Sequence, residues 1–141
     1  MIKFKALHSD AVLPSRAHPS DAGLDLTAVS YDINETEGYI EYDTGIACEI
    51  PVGCVGLLTA RSSITKKDLM LKNSVGVIDS SYRGPIKARF YRTKPGSRNI
   101  YARGERIAQL LIVPIKLEDA EFVSELSDTS RSTGGFGSTG K

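Results

Sequence analysis

Ile86-Lys87-Ala88-Arg89-Phe90 alternates apolar and basic residues one for one. Side chains two apart share a face of an extended chain, so the stretch predicts a half-buried β-strand. The pattern continues outward. Pro95-Gly96-Ser97 predicts a turn, and Arg106 to Ile115, mostly apolar and β-branched, predicts another strand. Upstream, Cys54 to Thr59 reads as extended after the break at Pro51-Val52-Gly53. Tyr39 to Tyr42 and Ile46 to Ile50 flank Asp43-Thr44-Gly45, and Leu24 to Ala28 follows a glycine turn. Ile2, Phe4 and Ala6 alternate with Lys3 and Lys5, and Ala120 to Leu126 is expected to close the set. Only Ser63 to Leu69 has helical character, about two turns of it. Many short strands separated by Gly, Pro, Asn and Asp clusters predict an all-β sandwich or barrel.

The chain has 141 residues, enough for one domain, and 40% of them are hydrophobic, enough for a core. A formal net charge of +1 gives no reason to expect stable binding to nucleic acid or membrane. No apolar run approaches the roughly 18 residues of a membrane span. The opening Met1-Ile2-Lys3-Phe4-Lys5 alternates like a strand and lacks the apolar core of a signal peptide, so a cytoplasmic setting is expected. Cys48 and Cys54 are the two cysteines, and their strand-like surroundings predict reduced packing residues. His8 and His18 lack acidic or cysteine clusters nearby and read as surface residues.

From Ser127 to Lys141, eleven of the fifteen residues are Gly, Ser or Thr. Such a segment cannot build a core, which divides the chain into a β domain over 1–126 and a flexible C-terminal arm over 127–141. Arg131 and Phe136 are not needed by a plain linker. An arm that wraps phosphate has a use for both: glycine backbone approaches phosphate oxygens, Arg forks onto a terminal phosphate, and Phe stacks on a base.

Four further segments carry chemistry. Asn73-Ser74-Val75-Gly76-Val77-Ile78-Asp79-Ser80-Ser81-Tyr82-Arg83-Gly84 sets Asp79 after an apolar triplet, at the mouth of an expected hairpin. There it can serve as a general base on water or simply make an Asx turn. Ala60-Arg61-Ser62-Ser63 ends a strand and opens the helical stretch, as an anion site or as an N-cap by Ser62 or Ser63. Asp21-Ala22-Gly23-Leu24-Asp25-Leu26 buries a carboxylate in a strand, so Asp25 calls for a specific partner. Gly104-Glu105-Arg106-Ile107-Ala108-Gln109-Leu110 places Gln109 in an apolar strand, either facing a ligand or as a satisfied amide. The sequence offers no zinc-ligand spacing, no Ser-His-Asp set with credible context and no P-loop.

In this order, with the arm last, the five segments closely resemble the five motifs of homotrimeric dUTPases, across almost the whole chain. The resemblance implies a jelly-roll β-barrel with three sites per trimer, each gathered from more than one subunit and covered by an arm. It implies hydrolysis of dUTP to dUMP and pyrophosphate by attack of water at the α-phosphorus. Mg²⁺ is then held by the triphosphate and water and not by direct protein ligation. The reaction limits uracil incorporation into DNA and supplies dUMP for thymidylate synthesis. Asp79 matches the carboxylate that activates the water, and Tyr82 the ring under the deoxyribose. Asn73 and the main chain through Gly76 and Val77 match the uracil pocket. Arg61, Ser62, Ser63 and Gln109 match the phosphate-binding set, with Asp25 as a supporting carboxylate. Arg131 matches the arm residue on the γ-phosphate, Phe136 the ring on uracil, and Gly137 and Ser138 the arm groups beside the terminal phosphate. Ser63, Ser81 and Ser132 depart from the motifs, standing where Gly, an acidic residue and Gly are common. Two rivals share the motifs in part. A dCTP deaminase of the same fold needs a glutamate near the pyrimidine, and Asn73 to Gly84 contains none. The other is a nucleotide-binding regulator with a protein partner: the presence of Asp79, Arg131 and Phe136 argues against an inactive one and leaves a second, interaction role open.

Overall fold

The computed structural model describes residues 1–135. It is all-β, of jelly-roll type, with two antiparallel sheets face to face. The strands are β1 (Lys3–Ala6), β2 (Leu24–Thr27), β3 (Ser30–Asn34), β4 (Tyr39–Glu49), β5 (Cys54–Ala60), β6 (Leu69–Leu71), β7 (Gly76–Ile78), β8 (Pro85–Arg92) and β9 (Arg106–Pro114). One sheet runs β1-β4-β8-β6, with β3 also on β4, and the other runs β2-β9-β5-β7.

The alternation in β8 does what its sequence predicts: Ile86, Ala88 and Phe90 are buried while Lys87 and Arg89 face out. Opposite them, Ile40 and Tyr42 of β4 turn inward. Tyr42, Phe90 and Tyr101 pack edge to face, with ring centroids 5.6, 6.0 and 6.2 Å apart. Such pairs add about 0.5–1.5 kcal/mol beyond their burial. The Tyr42 hydroxyl donates to the Tyr101 carbonyl at 3.0 Å, so a polar atom enters the core satisfied. Burial pushes the Tyr42 phenol well above its usual range and raises the Cys48 thiol.

Four local expectations need correction. Asp43-Thr44-Gly45 is no turn between two strands. β4 runs through it, and the register with β8 slips between Asp43 and Ala47. Gly45 adopts φ 65°, and the buried Thr44 hydroxyl donates to the Ile86 carbonyl at 2.5 Å, so the bulge stays hydrogen-bonded. The helical stretch is a single 3-10 turn, Ser62–Lys66, capped by neither serine. Leu69 and Leu71 are claimed by β6, since alternate burial against β8 outweighs propensity in so short a segment. Asn73–Tyr82 is no hairpin: β6 before it pairs in one sheet, and β7 within it pairs with β5 in the other. Ala120–Leu126 forms no strand; every residue of it is exposed, so the segment has no buried face to hold it on a sheet. β3, a further strand, pairs fully with the first half of β4.

Gly45 and Gly38 share a left-handed backbone but differ in surroundings. A Cβ at Gly45 would lie 2.8 Å from His8 Cβ and 3.0 Å from Val29 Cγ2, whereas one at Gly38 would meet nothing within 4 Å. Gly38→Ala should therefore cost about 1–2 kcal/mol for the backbone alone. Gly45→Ala should cost that plus roughly 1–3 kcal/mol of overpacking. Urea unfolding of the two variants checks the order, which equal midpoints would contradict.

Candidate active site

Where the chain crosses between sheets, a cleft of about 900 Å³ opens. Asn73, Gly76, Val77, Ile78, Asp79 and Tyr82 line it from the crossing segment, and Glu41, Lys72, Lys87, Arg89 and Tyr91 from the outer face of the other sheet. The crossing loop is tightly formed. Ser74 sits at φ 61°, unusual for a side chain-bearing residue, and the Val75 amide donates to the Asn73 carbonyl at 2.6 Å. The Tyr82 amide donates to the Asp79 carbonyl at 3.0 Å, closing a turn. Arg83 Nη1 donates across that turn to the carbonyls of Ser80 (2.6 Å) and Tyr82 (2.9 Å). Asp79 is exposed at the cleft, and no side-chain donor in the described residues occupies its carboxylate.

The cleft's outer wall went unassigned in the sequence reading. Its signal was the register of an exposed strand face, invisible until β4 and β8 pair with Glu41 opposite Arg89. Lys87 and Arg89 each donate to Glu41 at 2.7 Å. First the Lys87 bond and then the Arg89 bond hold the Glu41 carboxyl below its usual range. Glu41 is thus a pinned carboxylate and does not supply the free glutamate that deamination of a base calls for. Lys72 Nζ sits 4.6 and 4.9 Å from the ring centroids of Tyr39 and Tyr91.

A second cluster surrounds Asp25. Arg61 Nε donates to its Oδ1 at 2.6 Å, and Arg106 Nη1 to its Oδ2 at 2.9 Å. The carboxylate that the strand pattern flagged therefore has two guanidinium partners, and the cluster keeps an excess of positive charge. Arg61 is anchored through Nε; its Nη1 and Nη2 bonds to Ser63 Oγ, the Arg106 carbonyl and Asp25 are longer, 3.2–3.4 Å, leaving donors to spare. Gln109 Nε2 donates to the Ala60 carbonyl at 3.1 Å, and its Cβ packs 3.0 Å from where a Gly23 side chain would begin. Ser62 lies on the 3-10 turn, whose five residues are too short to carry a helix dipole of use. Arg106 itself was in the quoted motif without a role.

These clusters do not meet. None of Arg61, Ser62, Ser63, Gln109 and Arg131 lines the cleft of Asp79 and Tyr82. Arg131 folds back on its own segment, Nε to the Gly134 carbonyl at 2.9 Å. Ser132 adopts φ 44°, a conformation that glycine enters more cheaply, which is the physical meaning of that departure. Phe136, Gly137 and Ser138 lie outside the described residues.

A dUTPase family model matches residues 9–140. The chain belongs to the dUTPase family. Among its relatives, a deoxyuridine 5'-triphosphate nucleotidohydrolase of Corynebacterium glutamicum is 44% identical, covering 99% of this chain and 95% of that protein. One from Rhodococcus erythropolis is 42% identical, covering 99% and 85%. Among solved structures, the dUTPase of Staphylococcus bacteriophage 80alpha with dUpNHpp superposes at a TM-score of 0.86, with 31% identity and 100% and 99% coverage. A mutant dUTPase from phage phi11 of S. aureus, described with a structural Mg(II) ion, gives a TM-score of 0.79, with 26% identity and 91% and 99% coverage.

The donor set bears on how a dUTPase of this sequence would meet such an ion. Among the described residues no three His, Cys, Asp or Glu side chains converge. Asp25 is committed to two arginines, and Glu41, the other carboxylate lining the Asp79 cleft, is committed to Lys87 and Arg89. This suits an ion that arrives on a polyphosphate and keeps its waters. Among the described residues, no helix is long and apolar enough to cross a membrane.

Close to the Asp25 cluster, Glu105 accepts from the Ala102 amide and from Lys67 Nζ, the latter at 3.2 Å. The Ala102 bond first, and Lys67 after it, hold the Glu105 carboxyl below its usual range, against some desolvation. A carboxyl lowered in the folded state contributes stability at neutral pH and loses it as pH falls through the folded pKa. Glu105→Gln should therefore lower the melting temperature at pH 7, and the gap to the parent should close as pH falls below the ordinary glutamate range. A gap that persists unchanged in acid would remove the charge from the account.

Proposed function

We propose that this dUTPase hydrolyses dUTP, to dUMP and pyrophosphate, at sites shared between the subunits of a cytoplasmic homotrimer. The separation of Asp79 from Arg61 carries the reading. Ile78 pairs with Gly56, so Asp79 lies level with Val55, near the start of β5, whereas Arg61 follows its end. Val55 to Arg61 spans roughly 20 Å at about 3.3 Å per residue. Arg61 also leans toward Asp25 on β2, at the sheet edge opposite β7. One triphosphate cannot bridge that span, so phosphate donors beside one chain's Asp79 come from a second chain.

In this reading the Asp79 cleft holds the nucleoside. Asn73 and the main chain at Gly76 and Val77 meet the base, and Tyr82 lies under the sugar. A second chain brings Arg61, Ser62, Ser63 and Gln109 to the phosphates, with Asp25 and Arg106 fixing Arg61. The arm, 127–141, covers the site, with Arg131, Gly137 and Ser138 at the terminal phosphate and Phe136 on the base. Asp79 accepts a proton from the attacking water while the new bond forms at the α-phosphorus. The bond from that phosphorus to the bridging oxygen breaks, and pyrophosphate leaves. Mg²⁺ on the triphosphate supplies charge neutralisation, and the protein's part is alignment and exclusion of water.

Asp79→Asn should leave nucleotide binding nearly intact and lower kcat by about 10²–10⁴-fold. Turnover close to the parent's in the folded variant would remove Asp79 from the reaction.

Sharing is tested by complementation. Asp79→Asn and Arg61→Ala chains are each expected to be nearly inactive and trimeric, at about three times the 15.3 kDa chain by light scattering. Unfolded together and refolded as mixed trimers, they should regain activity toward dUTP, because one chain restores Asp79 and the other Arg61. Mixed trimers no more active than their parents would place both residues in one chain's site.

A further inference from the structure

The Tyr82 ring lies directly over Gly84. A Cβ built on Gly84 would come within 2.5 Å of Tyr82 Cζ and 2.9 Å of Cε2, and closer still to the phenolic oxygen. The ring is held there from its far end, since its hydroxyl donates to the Pro85 carbonyl at 3.1 Å. At its near end, the Tyr82 amide donates to the Asp79 carbonyl, and Arg83 clasps the carbonyls of Ser80 and Tyr82. The backbone at Gly84 does not require glycine, since it is not among the residues of positive φ. The missing side chain, and not an unusual dihedral, is what the ring uses.

We infer that Gly84 is a specificity-determining residue: by leaving room for the Tyr82 ring, it sets where the sugar gate stands. The inference rests on the reading of Tyr82 as the ring under the deoxyribose and extends it to a residue that touches no nucleotide. The three atoms nearest to an alanine Cβ there all belong to the outer end of a half-exposed side chain, which can swing away. The turn's main-chain bonds survive that swing. The Tyr82–Pro85 bond does not, and the ring leaves the position from which it excludes a 2′-hydroxyl.

The experiment compares kcat/KM for dUTP and UTP in the parent, Gly84→Ala, Tyr82→Ala and the double variant, with melting temperatures to confirm folding. Gly84→Ala should lower the dUTP/UTP ratio by about tenfold or more, the scale on which a pocket discriminates one small group. The double variant should match Tyr82→Ala, because the three atoms nearest to the added methyl leave with the ring. If Tyr82→Ala relaxes the ratio and Gly84→Ala leaves it unchanged, the inference is wrong and the gate reading stands. If neither changes it, the gate reading itself fails. A folded Gly84→Ala that loses dUTP and UTP activity equally would reduce Gly84 to a structural role and overturn the inference.

Discussion

The β5 ladder is the constraint on which the site depends. β7 pairs along one edge of β5 at Gly56 to Leu58, and β9 along the other from Cys54 to Ala60. Both edges are taken, so the strand can neither slide nor bend to bring its ends together. The Asp79 cleft follows from one neighbour and the cationic Asp25 cluster from the other, at a distance that secondary structure sets. On the proposed shared-site reading, catalysis becomes a property of assembly.

That division was only partly legible in the sequence. β8 and β9 were plain, because alternation in the first and a mostly apolar, β-branched run in the second are both local patterns. Asp25 announced a partner by standing in a strand, and the structure supplies Arg61 and Arg106. The outer wall of the cleft was not legible, because Glu41, Lys87 and Arg89 are each ordinary surface residues until their register makes them neighbours. The expected hairpin at Asn73–Tyr82 failed for a related reason. Turn residues report that the chain reverses, and they carry no information on which sheet receives the next strand. Helical character at Ser63–Leu69 gave way where Leu69 and Leu71 found a buried face. The five motifs reached function without passing through any of these details, since their order is a matter of chemistry at a few positions.

The two clusters also differ in how they treat charge. Around Asp25, one carboxylate is divided between two guanidinium groups, so positive charge is held in reserve. Around Glu41, one carboxylate balances a lysine and an arginine on an open strand face. The first arrangement leaves the outer nitrogens of Arg61 only loosely engaged; the second shapes a wall.

β4 has hydrogen-bonded neighbours on both sides along most of its length: β3 and then β1 on one edge, β8 on the other. Its central amides are released to solvent only when both sheets part, so their hydrogen exchange reports global unfolding. The amides from Asp79 to Gly84 sit in a largely exposed turn, where exchange is expected to need only small local openings. The expected pattern is slow exchange in the strand that forms one wall of the cleft and fast exchange in the turn at Asp79 on the other. Protection measured along the chain would trace the boundary between scaffold and site without any ligand present.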